Sequence, residues 1–295
     1  MGAFTLSRYN SRMSSLTPSK PVEYLVIGHV AHDLTPDGWR LGGTAAYSAL
    51  TAQALGLRVG IVTAHGPETS LHELDVISTV TLPSARSTTF ENIYTPQGRL
   101  QYLRAQAAPL TFESVPAAWR SAPIVHLGPI ANEVDASLVD ALTPALLGLT
   151  PQGWMRQWDA DGRVSRSSWE QAAGPLKQAG VVVLSREDVN NDDELIEQMA
   201  HQTRLLVVTE AHEGCVLHWH GDRRRFRAPE VQEVDATGAG DVFAAAFFVR
   251  LHKTRDPWEA ARFATLIASR SVTRVGLAGI PTAEEIEECL MEVLQ

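Results

Sequence analysis

Short apolar runs of four or five residues recur along the chain, and their length is typical of buried β-strands. Between the first two runs lies an Ala-rich stretch, residues 43–55, whose composition favours a helix. Strands that alternate with helices predict a parallel sheet with crossover helices, and hence an α/β body. The runs interpreted as buried strands are residues 24–28, 59–63, 124–127, 181–184 and 205–209.

Residues 76–105 depart from this alternation. They contain three short runs rich in β-branched and aromatic residues, separated by turn signals such as Pro-Gln-Gly at residues 96–98. We interpret the stretch as a small antiparallel sheet inserted in the α/β body. Covering flaps often interrupt a scaffold in this way, so the insert is predicted to be a lid. The other predicted elements are a hairpin at 215–220 and 224–228, and helices near 239–252, 257–273 and 282–293.

Composition narrows the classes of function. The 295 residues are 44% hydrophobic, enough for one large domain, and a net charge of −9 makes nucleic acid an unexpected partner because the acidic surface repels phosphates. No apolar run reaches the length of a membrane span. Cys215 and Cys289 lack metal-ligand spacing, which favours a reducing cytoplasm. Polar residues 1–20 are predicted to be a disordered extension before one domain at 21–295.

Residues 233–248 carry the most informative pattern. Gly238, Ala239, Gly240 and Asp241 stand at the start of an apolar, Ala-rich helical run. Glycines let a backbone approach a ligand closely, and the N–H groups of a first helical turn lack intrahelical acceptors, so the pattern favours an anion site. An aspartate in a first turn is also stabilised by the helix dipole, which would explain Asp241 without any function.

Two other phosphate-binding motifs are excluded by the residues present. A Walker-type loop requires Gly-Lys-Ser/Thr, and none of Lys20, Lys177 and Lys253 follows a glycine. The dinucleotide fingerprint requires a glycine three residues after Gly240, where Phe243 stands. The phosphate site that the sequence supports is therefore the start of the helix near Gly238–Asp241.

The complete string at residues 235–241, Asp-x-Thr-Gly-Ala-Gly-Asp followed by small residues, resembles the signature of the ribokinase-like (PfkB) carbohydrate kinases. The resemblance covers about residues 22–293 and implies their fold, a three-layer α/β/α body with a central, mostly parallel sheet and a small β-sheet lid. It implies an ATP-dependent phosphotransferase that phosphorylates a hydroxyl of a sugar or polyol. Asp241 would be the general base, and the backbone from Gly238 to Asp241 would form the anion hole.

The resemblance also assigns residues to the acceptor. Asp33 follows the first strand, where the family has a carboxylate that accepts hydrogen bonds from substrate hydroxyls. Gly42 and Gly43 match the family's paired glycines before a helix. Tyr47 stands near a position that is commonly Asn, a departure that argues against a plain ribose pocket. The further substrate contacts that the resemblance implies are Arg104 and Asn132.

Donor contacts and metal ligands are implied in the same way. Thr209 and Gly214 match the strand and loop beneath the ATP phosphates, although Ala211 replaces the usual glycine. Asp188 would organise Mg²⁺ through water, as suits a cation that keeps its hydration shell. Asp235 would help hold a monovalent cation beside the anion loop. The remaining predicted ATP contacts are Ser185 and Thr237.

Three alternatives stay open on the sequence. The first alternative is an inositol kinase, because residues 87–92, 152–156 and 158–162 look similar to segments of plant myo-inositol kinases. The second alternative is a nucleoside kinase. The third is a non-catalytic, ligand-binding regulator with the same fold. Retention of Asp241 argues against it, because a pure binder needs no base. The predicted partners are a sugar or polyol and ATP, and relatives imply a homodimer formed through the lid.

Overall fold

The computed structural model of the chain describes residues 20–36, 38–95, 98–167 and 173–291. The predicted extension at 1–20 lies outside these residues, except for Lys20. The strands are β1 Tyr24–Ile27, β2 Ala31–Thr35, β3 Gly38–Gly42, β4 Val59–His65, β5 Ser78–Pro83, β6 Thr88–Thr95, β7 Gly98–Ala105, β8 Ile124–Leu127, β9 Leu146–Leu149, β10 Arg156–Trp158, β11 Val164–Arg166, β12 Val181–Ser185, β13 Leu205–Thr209, β14 Cys215–Trp219 and β15 Asp222–Phe226. The α-helices are α1 Thr44–Ala54, α2 Leu138–Ala141, α3 Ala173–Gln178, α4 Asp193–Gln202, α5 Ala239–Thr254, α6 Pro257–Ser271 and α7 Ala283–Leu290.

A nine-stranded sheet forms the body, in the order β15-β14-β13-β12-β9-β8-β1-β4-β5. The strands from β13 to β5 pair in parallel, and the hairpin β14–β15 adds two antiparallel strands at one edge. Every residue of β1, β8 and β9 is buried. Strands that are covered on both faces read as continuous apolar runs, which explains why most of them were visible in the sequence.

Helices cover both faces of this sheet. On one face Phe247 of α5 and Phe263 of α6 are buried in one hydrophobic cluster with Tyr24 of β1. On the other face, Leu195 of α4 is buried in a cluster with Leu25, the next residue along β1. Successive side chains of a strand point to opposite faces of the sheet, so neighbouring residues of β1 belong to two separate hydrophobic cores. The predicted three-layer α/β/α fold is confirmed, and no helix of the described chain is long and apolar enough to cross a membrane.

The small sheet differs from the prediction in its membership. Its order is β3-β2-β6-β7, so residues 31–42 supply two strands that the sequence did not reveal. The first of its predicted strands, residues 76–82, instead overlaps β5 (Ser78–Pro83), which pairs in parallel with β4 at the edge of the main sheet. The sheet is also mixed, because β2 and β6 are parallel. A β-branched run predicts a strand but not its partner, since pairing is decided by contacts distant in sequence.

Two further features of the body were not predicted. Strand β9 fills the gap between β8 and β12, and its short run is interrupted by a glycine. The small hairpin β10–β11 follows β9 and lies beside β7 of the small sheet, where Tyr102 and Arg163 form an isolated antiparallel bridge. This hairpin brings a segment of the body against the lid.

The strand order places a crevice next to β1. Strand β4 lies on one side of β1 and β8 lies on the other, so the direction of the connections reverses there. In open α/β sheets ligands bind beside such a reversal, at the carboxyl ends of the strands. The small sheet starts from this same edge, because β2 begins four residues after the end of β1.

Candidate active site

The glycine before α5 is fixed by its surroundings. Gly238 has a φ of 79°, a left-handed conformation that favours glycine, and a β-carbon there would collide with the ring of Tyr47. Helix α5 starts at the next residue, so the N–H groups of Gly240 and Asp241 lie in its first turn. Such groups lack intrahelical acceptors and stand at the positive end of the helix dipole. The loop is therefore suited to an anion.

Helix α1 anchors the carboxylate of this loop. The hydroxyl of Thr44 donates a hydrogen bond of 2.6 Å to Oδ1 of Asp241, and Ser48 Oγ donates one of 3.2 Å to the main-chain oxygen of the same residue. Thr44 is buried and is the first residue of α1, directly after Gly43, its N-cap. The paired glycines of the sequence thus place a hydroxyl against the predicted base. Thr44 was not predicted as a site residue, and its position after these glycines was the available signal.

The pKa of Asp241 is raised to about 6, chiefly by burial. The hydrogen bond from Thr44 and the charge of Arg156 act in the opposite direction, whereas the charges of Asp33 and Asp188 add to the rise. A carboxyl with this pKa is largely ionised at neutral pH and is a stronger base than an ordinary aspartate. Predicted acceptor, metal and base residues therefore share one electrostatic environment.

Asp33 lies on β2 of the small sheet, not at the end of the first strand as predicted. The chain bends after β1 and resumes as β2, where Asp33 pairs with Arg40 of β3. The last residue of β3, Gly42, lies so close that a β-carbon on it would collide with the Asp33 carboxylate. Gly42 therefore makes room for Asp33, and the small sheet itself carries the carboxylate predicted to bind substrate.

Tyr47 packs between Gly238 of the anion loop and Gly42 of the small sheet. It is buried on α1, with its ring beneath Gly238. Burial raises its pKa, and the charges of Asp33, Asp235 and Asp241 raise it further. The phenol is therefore neutral and supports the loop, while its predicted contact with substrate stays a prediction.

Asn132 is an exposed residue in the loop after β8, whose neighbouring residues are buried. Its Nδ2 donates a 3.0 Å hydrogen bond to the carbonyl of Arg156. The buried carboxylate of Glu133 fixes this loop, because it accepts hydrogen bonds from the N–H groups of His29, Ile130 and Ala131. The loop that carries Asn132 is thereby tied to the end of β1. Glu133 was missed in the sequence, where a lone glutamate gives no signal.

Arg156 is a further residue of the site to which the sequence analysis gave no role. It opens β10, and its Nη1 donates a 3.0 Å hydrogen bond to the carbonyl of Ile130. The guanidinium carbon lies 5.5 Å from the centre of the Phe90 ring in the small sheet. The sequence showed Arg156 only as part of a segment similar to inositol kinases, without a role.

Arg104 holds the small sheet to its neighbour. Its Nε donates a 2.7 Å hydrogen bond to Glu91, and its Nη1 donates a 3.0 Å bond to the carbonyl of Asp161 in the turn of β10–β11. The side chain is partly exposed and lies over the ring of Tyr102. These contacts engage Arg104 within the lid and hairpin, and its contact with substrate or phosphate stays a prediction.

The predicted metal carboxylate lies at the end of β12. Oδ2 of Asp188 accepts the N–H of Ser185 at 2.8 Å, and Ser185 Oγ accepts the N–H of Asp188 at 3.2 Å. Gln152 donates a third bond, of 2.9 Å, to Oδ1 of Asp188. The carboxylate is held in place while its side chain stays partly exposed. The role of Gln152 was not predicted.

The other predicted donor residues lie at the end of β13 and in the loop that follows. Thr209 is the last residue of β13, and its hydroxyl donates to the carbonyl of Leu184 at 3.4 Å. The carbonyl of Gly214 closes the loop by accepting the N–H of Glu210 at 2.7 Å. Ala211, which stands in place of the usual glycine, has a φ of 50°. The loop thus keeps a left-handed residue at this position even without glycine.

Asp235 braces the anion loop. Its Oδ1 accepts the N–H of Thr237 at 2.9 Å, and its Oδ2 accepts the N–H of Gly276 at 3.0 Å. Burial acts to raise the pKa of Asp235, but these hydrogen bonds and the charge of Arg40 outweigh it and hold the pKa below the usual value. The carboxylate therefore stays ionised and ties the loop to the segment after α6. Monovalent-cation binding at Asp235 stays a prediction.

The donor set suits Mg²⁺ bound mainly by water and phosphate. Within the described ranges, no three His, Cys, Asp or Glu side chains are grouped so as to hold a metal ion. Mg²⁺ keeps several waters and is usually bound through one or two carboxylates and substrate phosphates. Asp188, fixed and partly exposed, fits that role.

Comparisons with known proteins find similarity to carbohydrate, inositol and nucleoside kinases. The model of the pfkB family carbohydrate kinases matches residues 177–283, which include the anion loop. The chain is 26% identical to the cytidine kinase of Thermococcus kodakarensis over 263 residues, covering 82% of this chain and 92% of that protein. It is also 26% identical to the inositol 3-kinase of Zea mays over an alignment of 318 residues, which covers 98% of this chain and 82% of that protein.

A solved structure adds the likeness of the whole fold. A pyrophosphate-dependent kinase in the ribokinase family, complexed with a pyrophosphate analog and myo-inositol, superposes with a TM-score of 0.73 at 23% identity. The match covers 90% of this chain and 100% of that one. The resemblance to the ribokinase-like (PfkB) carbohydrate kinases is thereby confirmed, and the chain has the ribokinase fold.

Proposed function

We propose that the chain transfers the terminal phosphoryl group of ATP to a hydroxyl of a sugar or polyol. The observation that carries the proposal is Asp241, held by Thr44 at the start of α5 with its pKa raised to about 6. Phosphoryl transfer needs a group that accepts the hydroxyl proton and donors that face the charge on the transferred oxygens. The first turn of α5 supplies both within a few residues.

In the proposed reaction Asp241 accepts the proton of the acceptor hydroxyl as its oxygen attacks the terminal phosphorus. The bond from that phosphorus to the bridging oxygen breaks, and ADP leaves with the electron pair. The N–H groups of Gly238, Gly240 and Asp241 stabilise the charge on the terminal oxygens, whereas the N–H of Ala239 already donates a 3.2 Å hydrogen bond to the carbonyl of Ala236. Because Asp235 and Tyr47 already hold the loop, these donors need little reorganisation.

The remaining predicted residues take supporting roles in this proposal. Asp33 accepts hydrogen bonds from neighbouring hydroxyls, which suits a diol, because a carboxylate accepts several bonds at once. Asp188 would help to hold Mg²⁺ through water, and the bound cation would neutralise phosphate charge. Thr209 lies at the carboxyl end of β13, on the side assigned to ATP.

A myo-inositol acceptor is the second candidate. Its support is the similarity to the Zea mays inositol 3-kinase across 98% of this chain, together with a structural neighbour complexed with myo-inositol. That neighbour is pyrophosphate-dependent, so pyrophosphate belongs beside ATP among the donors to test. Because the chain is also similar to a cytidine kinase, nucleosides belong among the acceptors to test. A non-catalytic regulator would bind such ligands without turnover.

A screen of donors and acceptors tests the proposal. The purified protein is assayed for ADP release with ATP, and for release of phosphate with pyrophosphate, across pentoses, hexoses, inositols and nucleosides. We expect transfer to a sugar or polyol hydroxyl, and the product's position of phosphorylation identifies the acceptor group. Ligand binding without turnover in every combination would contradict the enzyme and support the regulator.

A further inference from the structure

The hairpin β10–β11 is fastened to the last strand of the lid. The N–H of Leu103 donates a 2.8 Å hydrogen bond to the carbonyl of Gly162, and Arg104 donates one of 3.0 Å to the carbonyl of Asp161. Tyr102 and Arg163 add the isolated antiparallel bridge. The hairpin belongs to the body, between β9 and α3, so these contacts join body and lid directly.

Gly162 makes the close approach possible. Its φ is 83°, and a β-carbon would collide with the carbonyl oxygen of Leu103. The carboxylate of Asp159 holds the turn, since Oδ1 accepts the N–H groups of Asp161 and Arg163 at 3.0 and 2.9 Å. A preformed turn with a glycine at the contact allows the two elements to be held together in a fixed position. We call the contacts of residues 161–163 with residues 102–104 the latch.

The first residue of the same hairpin lies between the body and the lid. Arg156 donates to the carbonyl of Ile130 on the body, and its guanidinium carbon lies 5.5 Å from the centre of the Phe90 ring in the lid. Its main-chain carbonyl accepts the hydrogen bond of Asn132, the predicted substrate contact. The positive charge of Arg156 acts to lower the pKa of Asp241. One end of the hairpin therefore contacts the lid, and the other carries a cation that acts electrostatically on the candidate base.

We propose that Arg156 contacts the phosphoryl group during transfer, and that the contacts between the hairpin and β7 hold it in that position. The inference rests on the proposed function. A guanidinium donates two parallel N–H bonds to phosphate oxygens, and it keeps its charge under all physiological conditions. Arg156 forms no bond to phosphorus; it faces the oxygens while the group passes from the bridging oxygen of the donor to the acceptor oxygen. A displaced lid would withdraw this cation, which couples closure to chemistry.

Two variants of Arg156 test its role. Replacing it in Arg156→Met is expected to lower kcat by about 10²-fold, the scale for loss of one charge-stabilising donor, and Arg156→Lys should recover part of the loss. In ligand-free protein, NMR titration of the Asp241 carboxyl should give a higher pKa in Arg156→Met, because the lost charge favoured the ionised form. The other groups that act on this carboxyl, Asp33, Asp188 and Thr44, are unchanged in both variants.

A pair of glycine variants tests the latch. Gly162→Ala places a methyl group against β7, whereas Gly221→Ala is its control, since Gly221 has a φ of 80° in the β14–β15 turn with no atom near its β-carbon position. Both variants strain a left-handed residue, so only the contact differs. In ligand-free protein we expect faster amide exchange at residues 100–105 in Gly162→Ala than in Gly221→Ala, and a lower kcat.

Each half of the inference has a result that overturns it. An unchanged Asp241 titration and an unchanged kcat in Arg156→Met would remove Arg156 from the reaction. Equal exchange at residues 100–105 in the two glycine variants would remove the latch. The exchange and the titration are measured without ligand, so they stand apart from the donor and acceptor screen, whose failure would overturn the proposed function itself.

Discussion

Thr44 donates a 2.6 Å hydrogen bond to Asp241, although the two residues are 197 positions apart in the chain. The bond joins the start of α1, which follows the paired glycines, to the start of α5, which follows the anion loop. It favours the ionised carboxylate and partly offsets the burial that raises the pKa. Two glycine-rich segments that are distant in the sequence therefore together position the carboxylate of Asp241.

Loss of this hydroxyl should shift the pH dependence of the reaction. In Thr44→Val the pKa of Asp241 is expected to rise above its value of about 6, so the acid limb of kcat/KM moves to higher pH. A hydrogen bond to a charged group is worth about 1.5 kcal/mol or more, which lowers the ionised fraction of Asp241, and with it kcat/KM, by at least about sevenfold at pH 6. The pH–rate profile measures this, with Thr44→Ser as the control that restores the bond. An identical profile in Thr44→Val and wild type would refute the link.

The same raised pKa carries a cost in stability. Burial raises the pKa of Asp241 from 3.8 to about 6, so the unfolded state loses its proton first as the pH rises. Native stability is therefore fully present below about pH 4, falls between the two pKa values, and stays lower above pH 6. Asp241→Asn should remove this cost and raise the unfolding free energy at pH 8 by roughly 1–3 kcal/mol.

Thermal or denaturant unfolding at pH 4 and pH 8 measures that effect. The gain of Asp241→Asn should be present at pH 8 and absent at pH 4, whereas Asp75→Asn, at an exposed carboxylate, should change little at either pH. A variant that is less stable than wild type at pH 8 would show that the surroundings favour the charged carboxylate.

The sequence predicted features that depend on neighbouring residues and missed those that depend on distant ones. The anion loop and the start of α1 were predicted, because glycines, small residues and a first-turn aspartate are local signals. The partner of Ser78–Pro83 and the two strands within residues 31–42 were not, because strand pairing is decided by non-local contacts. The paired glycines were a local signal for Thr44, but its bond to Asp241 and the effect of the Arg156 charge arise only through the fold.

Asp33 should act on the acceptor more than on the donor. Asp33→Ala is expected to raise KM for the acceptor by more than about tenfold while KM for ATP changes little, since the carboxylate lies on the lid strand β2. Its charge also raises the pKa of Asp241, so the acid limb of the profile should move to lower pH, opposite to Thr44→Val. Initial rates with each substrate varied in turn measure both effects. Equal changes in the two KM values would show that Asp33 does not belong to the acceptor side.

Ala211 should limit stability through its backbone. Its φ of 50° lies in the left-handed region, which costs an L-residue about 1–2 kcal/mol relative to glycine. Ala211→Gly is therefore expected to raise the unfolding free energy by roughly 0.5–1 kcal/mol, after the larger entropy of glycine in the unfolded chain is subtracted. The control is Ala200→Gly inside α4, which should lower stability by about 1 kcal/mol. Parallel losses in both variants would show that residue 211 is not strained.

Turnover of Asp241→Asn tests the central claim most directly. The variant keeps an oxygen that can accept the hydrogen bond of Thr44 but cannot take a proton from the acceptor hydroxyl. With the donor and acceptor found by the screen, the account predicts a folded protein that binds both substrates and loses at least about 10²-fold in kcat. A folded Asp241→Asn protein with turnover near that of wild type would contradict the assignment of Asp241 as the base.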